Sequence, residues 1–265
     1  MSGLCNHGDV TAPLHYHELG RRDGPALLAL HGTGGHGQRW RRLTDRQLSG
    51  CRVIAPDLRG HGESLRLPPW TLEQHAADLL SLLDHLGVSG LPVMGHSFGA
   101  AVAIYLARLA PQRVTKLILL DPAIGLSPEF ANDHVQPIPK VFRGWQDAVI
   151  DQRKNWPGAP EEVIKEEVAV NIERLGDVWT PRYSNPTVNT AWSEMCRAAQ
   201  LPPPTTPTLL VSPLRERFVR PAFVEACRIT LDDRFELASL DCGHMIYLER
   251  PVELGSLLKD FLGRS

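Results

Sequence analysis

The stretch at residues 91–110, LPVMGHSFGAAVAIYLARLA, decides how the rest of this 265-residue chain is read. Its first residues, 91–94, form a short apolar run of the kind a buried strand makes. From Ala100 to Ala110 apolar residues recur at helical spacing, and the pattern stops at Pro111. A strand therefore turns abruptly into a helix, with Ser97 at the corner between Gly95 and Gly99. Such a corner drives its central residue toward positive φ, which is costly for anything but glycine. Glycines two before and two after let the strand and helix backbones come close enough to turn. The pattern predicts a serine hydroxyl held out at a strand end, beside the positive N-terminus of a helix.

Outward from this corner the same alternation recurs. Residues 10–19 (VTAPLHYHEL) read as an early strand, followed by a turn at Arg21-Arg22-Asp23-Gly24-Pro25. Residues 26–30 are wholly apolar and run into the glycine-rich loop His31-Gly32-Thr33-Gly34-Gly35. Residues 51–55 form the next buried strand and lead into the loop PDLRGHGES at 56–64. Helical spacing from Leu72 to Leu86 closes at Gly87. Residues 114–120 are another buried strand, ended by Asp121-Pro122. After the proline-rich linker 201–207, strands are expected at 208–211 and 234–240, with helices at 221–229 and 251–262. Strand alternating with helix predicts an α/β fold: a mostly parallel sheet with right-handed crossovers, covered by helices on both faces.

Between 123 and about 200 the pattern changes. Charged amphipathic segments such as PEEVIKEEVAVNIERLG alternate with proline-rich turns, buried-strand runs are absent, and four of the six tryptophans lie there. The chain thus divides into a first core part at 1–122, a helical insertion at 123–204 and a second core part at 205–265.

A formal net charge of −2 without a basic block argues against nucleic acid or an anionic membrane as partner. Five scattered cysteines with no C-x-x-C pair suit reduced thiols better than a disulfide framework or a zinc site. The N-terminus lacks the basic and apolar regions of a secretory signal, and no apolar run reaches the roughly 18 residues that span a bilayer. The expectation is a cytoplasmic protein acting on a small molecule, with no cofactor and no metal; a homo-oligomer stays open.

The Gly95-x-Ser97-x-Gly99 corner, the loop CGHMIYLERP around His244, the glycine-rich loop at 31–35 and the segment DLRGHGES resemble the α/β-hydrolase superfamily. The resemblance spans about 10–121 and 205–262, and it implies that 123–204 is a cap over the site. An aliphatic hydroxyl is a poor nucleophile at neutral pH and needs a base. The resemblance gives Ser97 the nucleophile's role and His244 the base's, with the backbone N–H groups of Phe98 and Thr33 as the oxyanion hole. His31, His61 and His96 read as makers of structural hydrogen bonds. The family's usual acid lies in a G-x-x-D pattern after the penultimate strand; here that segment is Pro213-Leu214-Arg215-Glu216, so Glu216 is the expected acid. Asp121, ending the strand after the corner's helix, is the rival. The implied activity is hydrolysis of a small to medium carboxylic ester through an acyl-enzyme on Ser97. A C–C bond hydrolase, a lyase or acyltransferase, and a non-catalytic ligand receptor of the same fold remain alternatives.

Overall fold

The computed structural model describes residues 14–136, 138–215 and 217–264. Among these, the first core part carries β1 (Tyr16–Gly20), β2 (Ala26–Leu30), α1 (Arg41–Gln47), β3 (Arg52–Pro56), α2 (Leu72–His85), β4 (Leu91–His96), α3 (Phe98–Leu109) and β5 (Val114–Leu120). The segment that follows holds α4 (Pro128–Asn132), α5 (Trp145–Asn155), α6 (Glu161–Asn171), β6 (Ile172–Leu175), β7 (Val178–Pro181) and α7 (Asn185–Met195). The chain returns to the core with β8 (Thr208–Pro213), α8 (Pro221–Leu231), β9 (Phe235–Leu240), α9 (Ile246–Glu249) and α10 (Pro251–Gly263).

The core strands form one seven-stranded sheet in the order β1-β3-β2-β4-β5-β8-β9, parallel except for β1, which runs antiparallel to β3. Because β3 lies on one side of β2 and β4 on the other, the order reverses between them. The crevice outside the carboxyl ends of β2 and β4 is where open α/β sheets bind ligands. The 31–35 loop and the Ser97 corner both leave the sheet there.

Strand side chains alternate between two apolar layers. Leu28 and Leu30 pack with α2 and α3, whereas Leu27 and Ala29 pack with α1 and α10 through Leu43, Leu254 and Leu258. With both faces covered, β2, β4 and β5 are nearly all apolar, which is why they were legible as unbroken runs. The expected early strand is β1, and its residues 10–13 lie outside the described part.

The segment between β5 and β8 departs from a purely helical insertion. PEEVIKEEVAVNIERLG begins as α6 but leaves the helix after Asn171 and becomes β6, paired with β7. Gly176, at φ 61°, and Asp177 make the two-residue turn that this hairpin needs. Helices α5 and α6 together pack a small core of their own, Ala148, Val149, Ile164 and Val168. No described helix is long and apolar enough to cross a membrane.

Candidate active site

Ser97 sits directly after β4 with φ 56° and ψ −119°, a strained backbone for a residue with a side chain. The neighbouring glycines are there because nothing larger fits. A Cβ on Gly95 would strike the carbonyl of Gly99, and one on Gly99 would strike the carbonyls of Leu30 and His31. Ser97 N–H donates to the Leu120 carbonyl of β5 at 3.0 Å, which pins the corner to the next strand.

His244 follows β9 and meets Asp121, which follows β5. Its Nδ1 lies 2.5 Å from Asp121 Oδ2. Asp121, also at positive φ (41°), is fully buried, and its carboxylate accepts the N–H groups of Phe218 and Val219 at 2.9 Å each. A buried carboxylate so supplied with donors has its hydrogen-bonding needs met without water. Opposite it, the His244 carbonyl accepts Nε2–H of His96 at 2.9 Å, and the Phe218 ring packs on the imidazole with centroids 4.1 Å apart.

His96 is the inner neighbour of the serine. Burial, followed by the adjacent His244, holds its pKa well below the ordinary histidine value, so it stays neutral. A neutral ring there adds no like charge beside His244. His31 and His61 do similar structural work in the glycine-rich loop. His31 receives Leu58 N–H at Nε2 (2.9 Å) and turns Nδ1 to the Gly32 carbonyl (2.8 Å); His61 receives Gly34 N–H (3.0 Å). Burial above all lowers the pKa of both, His61 to about 4, so these acceptor nitrogens are kept unprotonated.

Thr33 lies in the turn closed by Gly35 N–H on the Gly32 carbonyl, at the carboxyl end of β2. Phe98 is the first residue of α3, where a backbone N–H has no partner within the helix. Thr33, Ser97 and His244 line one cavity of about 300 Å³. Its far wall comes from the β5–β8 segment, including Gln136, Lys140, Tyr183 and Trp192.

A sequence model described as the alpha/beta hydrolase fold matches residues 25–251. The chain belongs to the α/β-hydrolase fold family. Lipase LipV of Mycobacterium tuberculosis is 35% identical to it, over 94% of this chain and 98% of that protein. The sn-1-specific diacylglycerol lipase ABHD11 of Mus musculus is 25% identical over 98% of this chain and 89% of its own length. Among solved structures, an E-2-(acetamidomethylene)succinate hydrolase superposes with a TM-score of 0.81 at 20% identity, covering 95% of each chain, a likeness of fold alone. Together the family match and the lipase that spans the chain make this α/β hydrolase an enzyme of the hydrolase class.

In this α/β hydrolase the two candidate acids have different standing. Glu216 lies outside the described residues, and the group on His244 Nδ1 is the rival, Asp121. The clue in the sequence was the broken pattern itself: Pro213 and Glu216 stand where the family usually has glycine and aspartate, while a buried strand ends directly on Asp121. Sequence reasoning missed the backbone clamp from Phe218 and Val219, since main-chain donors leave no residue-type signature. It also missed the bonds between the insertion and residues 34–39. Arg39 and Glu167 form a buried pair at 2.6 Å, His36 Nε2 lies 3.0 Å from the same carboxylate, and Asn171 donates to the Gly34 carbonyl at 2.9 Å. Burial alone would raise the Glu167 carboxyl; Arg39 first and His36 next overcome it and hold it well below the usual carboxylate range.

Proposed function

We propose that this α/β hydrolase is a serine carboxylic ester hydrolase working through an acyl-enzyme on Ser97. Ser97 Oγ attacks the ester carbonyl and His244 Nε2 takes its proton. The same imidazolium then gives the proton to the departing alcohol, and water repeats the sequence to release the acid. Asp121 is the acid of this triad. Its contact with Nδ1 fixes the tautomer that leaves Nε2 free as a base, and it stabilises the imidazolium. The N–H groups of Phe98 and Thr33 receive the oxyanion. Residues 123–204 serve as the cap that covers the nucleophile and shapes the acyl and alcohol pockets.

The observation that carries this reading is the 2.5 Å contact of the buried Asp121 with His244, which lines one cavity with the strained Ser97. Lipase names on two relatives that span the chain support an ester as the bond cleaved. A cavity of about 300 Å³ with polar groups on its far wall supports a small to medium acyl group. The test is hydrolysis of p-nitrophenyl esters of increasing acyl length, run beside labelling with a serine-directed phosphonate. Turnover and labelling are expected in the wild type, and both vanish in Ser97→Ala. Neither turnover nor labelling in the wild type would sink the ester reading and favour lyase or receptor chemistry on this fold.

A further inference from the structure

A cluster of side chains able to ligate a metal lies outside the Ser97 cavity, at the β1 edge of the sheet. His15 and His17 are two apart at the start of β1, so their side chains share a face. Asp57 directly follows β3, the antiparallel partner of β1. The register Tyr16↔Pro56 sets Asp57 opposite His15, and Asp57 N–H donates to the His15 carbonyl at 2.8 Å. Ser64 ties the two together, receiving His15 N–H at 2.9 Å and donating to the Asp57 carbonyl at 2.6 Å.

We propose that His15, His17 and Asp57 bind a divalent transition-metal cation of the zinc type. His15 Nδ1 lies 2.9 Å from Asp57 Oδ2, and the three candidate ligand atoms all fall within 4.8 Å of one another. His17 Nε2 is 3.7 Å from Oδ1, too far for a hydrogen bond yet converging on the carboxylate. The two rings stand edge to face with centroids 4.7 Å apart. Asp57 does not need these histidines to be held in place. Its Oδ1 accepts Gly37 N–H at 2.7 Å and its Oδ2 accepts Glu63 N–H at 3.1 Å. Such backbone donors are the outer shell that orients a ligating carboxylate.

The donor set selects the ion. Two imidazoles and one carboxylate suit zinc and its neighbours, whereas magnesium and calcium prefer oxygen alone. Zinc bonds of about 2.0–2.2 Å place ligand atoms roughly 3.5 Å apart, so the imidazoles need to shift by about an ångström. Both can: the His15 side chain is 37% exposed and His17 is 18% exposed, whereas Asp57 is 3% exposed. A cation would therefore enter from solvent, keep water in its remaining position and neutralise a buried carboxylate. In binding, His15 Nδ1 and His17 Nε2 present lone pairs, and any proton there moves to the other ring nitrogen or to solvent.

The test is calorimetric titration of the chelator-stripped full chain with Zn²⁺, with thermal melting as a second readout. One zinc per chain is expected, with a Tm that rises with zinc concentration. His15→Gln and His17→Gln should each weaken binding by more than the roughly 10–100-fold lost with an outer-shell partner. His85→Gln, at the exposed end of α2, should leave it unchanged. No binding by the wild type, or equal binding by the His15→Gln/His17→Gln double variant, overturns the proposal. So does a Co²⁺ spectrum with thiolate charge-transfer bands, which would move the metal to a cysteine. His15 immediately precedes the edge strand β1 and His17 lies partly exposed on it, so circular dichroism is expected to show an intact fold in either variant.

Discussion

The two walls of the cavity are built by different means. The core wall, with Ser97, His244 and the 31–35 loop, is held largely through main-chain groups: glycines that touch carbonyls, N–H groups of Phe218 and Val219 on Asp121, and N–H groups of Leu58 and Gly34 on the neutral His31 and His61 rings. The wall from 123–204 meets the 34–39 segment through side chains, above all the buried Glu167 with Arg39 and His36, and adds main-chain bonds to the core at Gly60 and Gly62. Backbone contacts fix atoms to fractions of an ångström and tolerate little substitution. A side-chain clasp can be loosened without moving the reacting groups. Chemistry and coverage of the site should therefore be separable by mutation.

The sharpest way to break that distinction is Asp121→Asn. With the wrong tautomer on His244, kcat for a p-nitrophenyl ester should fall by about 10⁴-fold, with little change in thermal stability. Next comes Glu167→Gln, which strands the Arg39 guanidinium in a buried position. A loss of about 3–5 kcal/mol is expected, read as a Tm lower by roughly 10 °C. KM should rise more than kcat falls, because Ser97, His244 and Asp121 are untouched; a fall in kcat as deep as that of Asp121→Asn would merge the two walls.

Acid titration sharpens the comparison further. His61 and His75 have folded pKa values of about 4 and about 3 against an ordinary 6.5, chiefly through burial. The unfolded chain then takes up protons that the folded chain refuses, so stability is full above pH 6.5 and is lost as pH falls toward 4. Glu167 acts lower. Its carboxyl is depressed below 4.5, so its contribution is complete above that pH and fades beneath it. Melting curves from pH 8 to 4 should show the core's loss first. His75 has both ring nitrogens buried without partners and packs edge-on against Phe98. His75→Leu should flatten the slope between pH 6.5 and 4 and raise stability at pH 7 by about 1–3 kcal/mol. Glu216→Gln should have the smallest effect, altering kcat by less than about threefold; a loss near that of Asp121→Asn would return the acid's role to Glu216.

Much of the fold was legible because its core strands are buried on both faces. β2 and β5 begin and end where their apolar runs do, and Gly87 terminates the α2 region at φ 63°. The insertion was harder to read. Its helix α6 passes directly into β6 within one amphipathic pattern, and the only local sign of the hairpin is the turn at Gly176-Asp177 between its strands, weaker than the charge pattern around it. The DLRGHGES loop was recognisable as structural, yet nothing in it announced that Asp57 would meet His15 and His17.

By itself the sequence determined the strand, the strained corner and the helix around Ser97, because those depend on neighbours within a few residues and on the absence of a Cβ at Gly95 and Gly99. It also pointed to His244, through its loop. Only the tertiary structure decided which acid meets that histidine. Asp121 and His244 are 123 residues apart and come together because β8 lies between β5 and β9 in the sheet, so that loops leaving β5 and β9 can converge over its end. The same holds for Glu167 on Arg39 and for Asp57 beside His15 and His17. Each pairing joins distant residues by strand order and register, and single-sequence periodicity carries no information about which strand lies beside which.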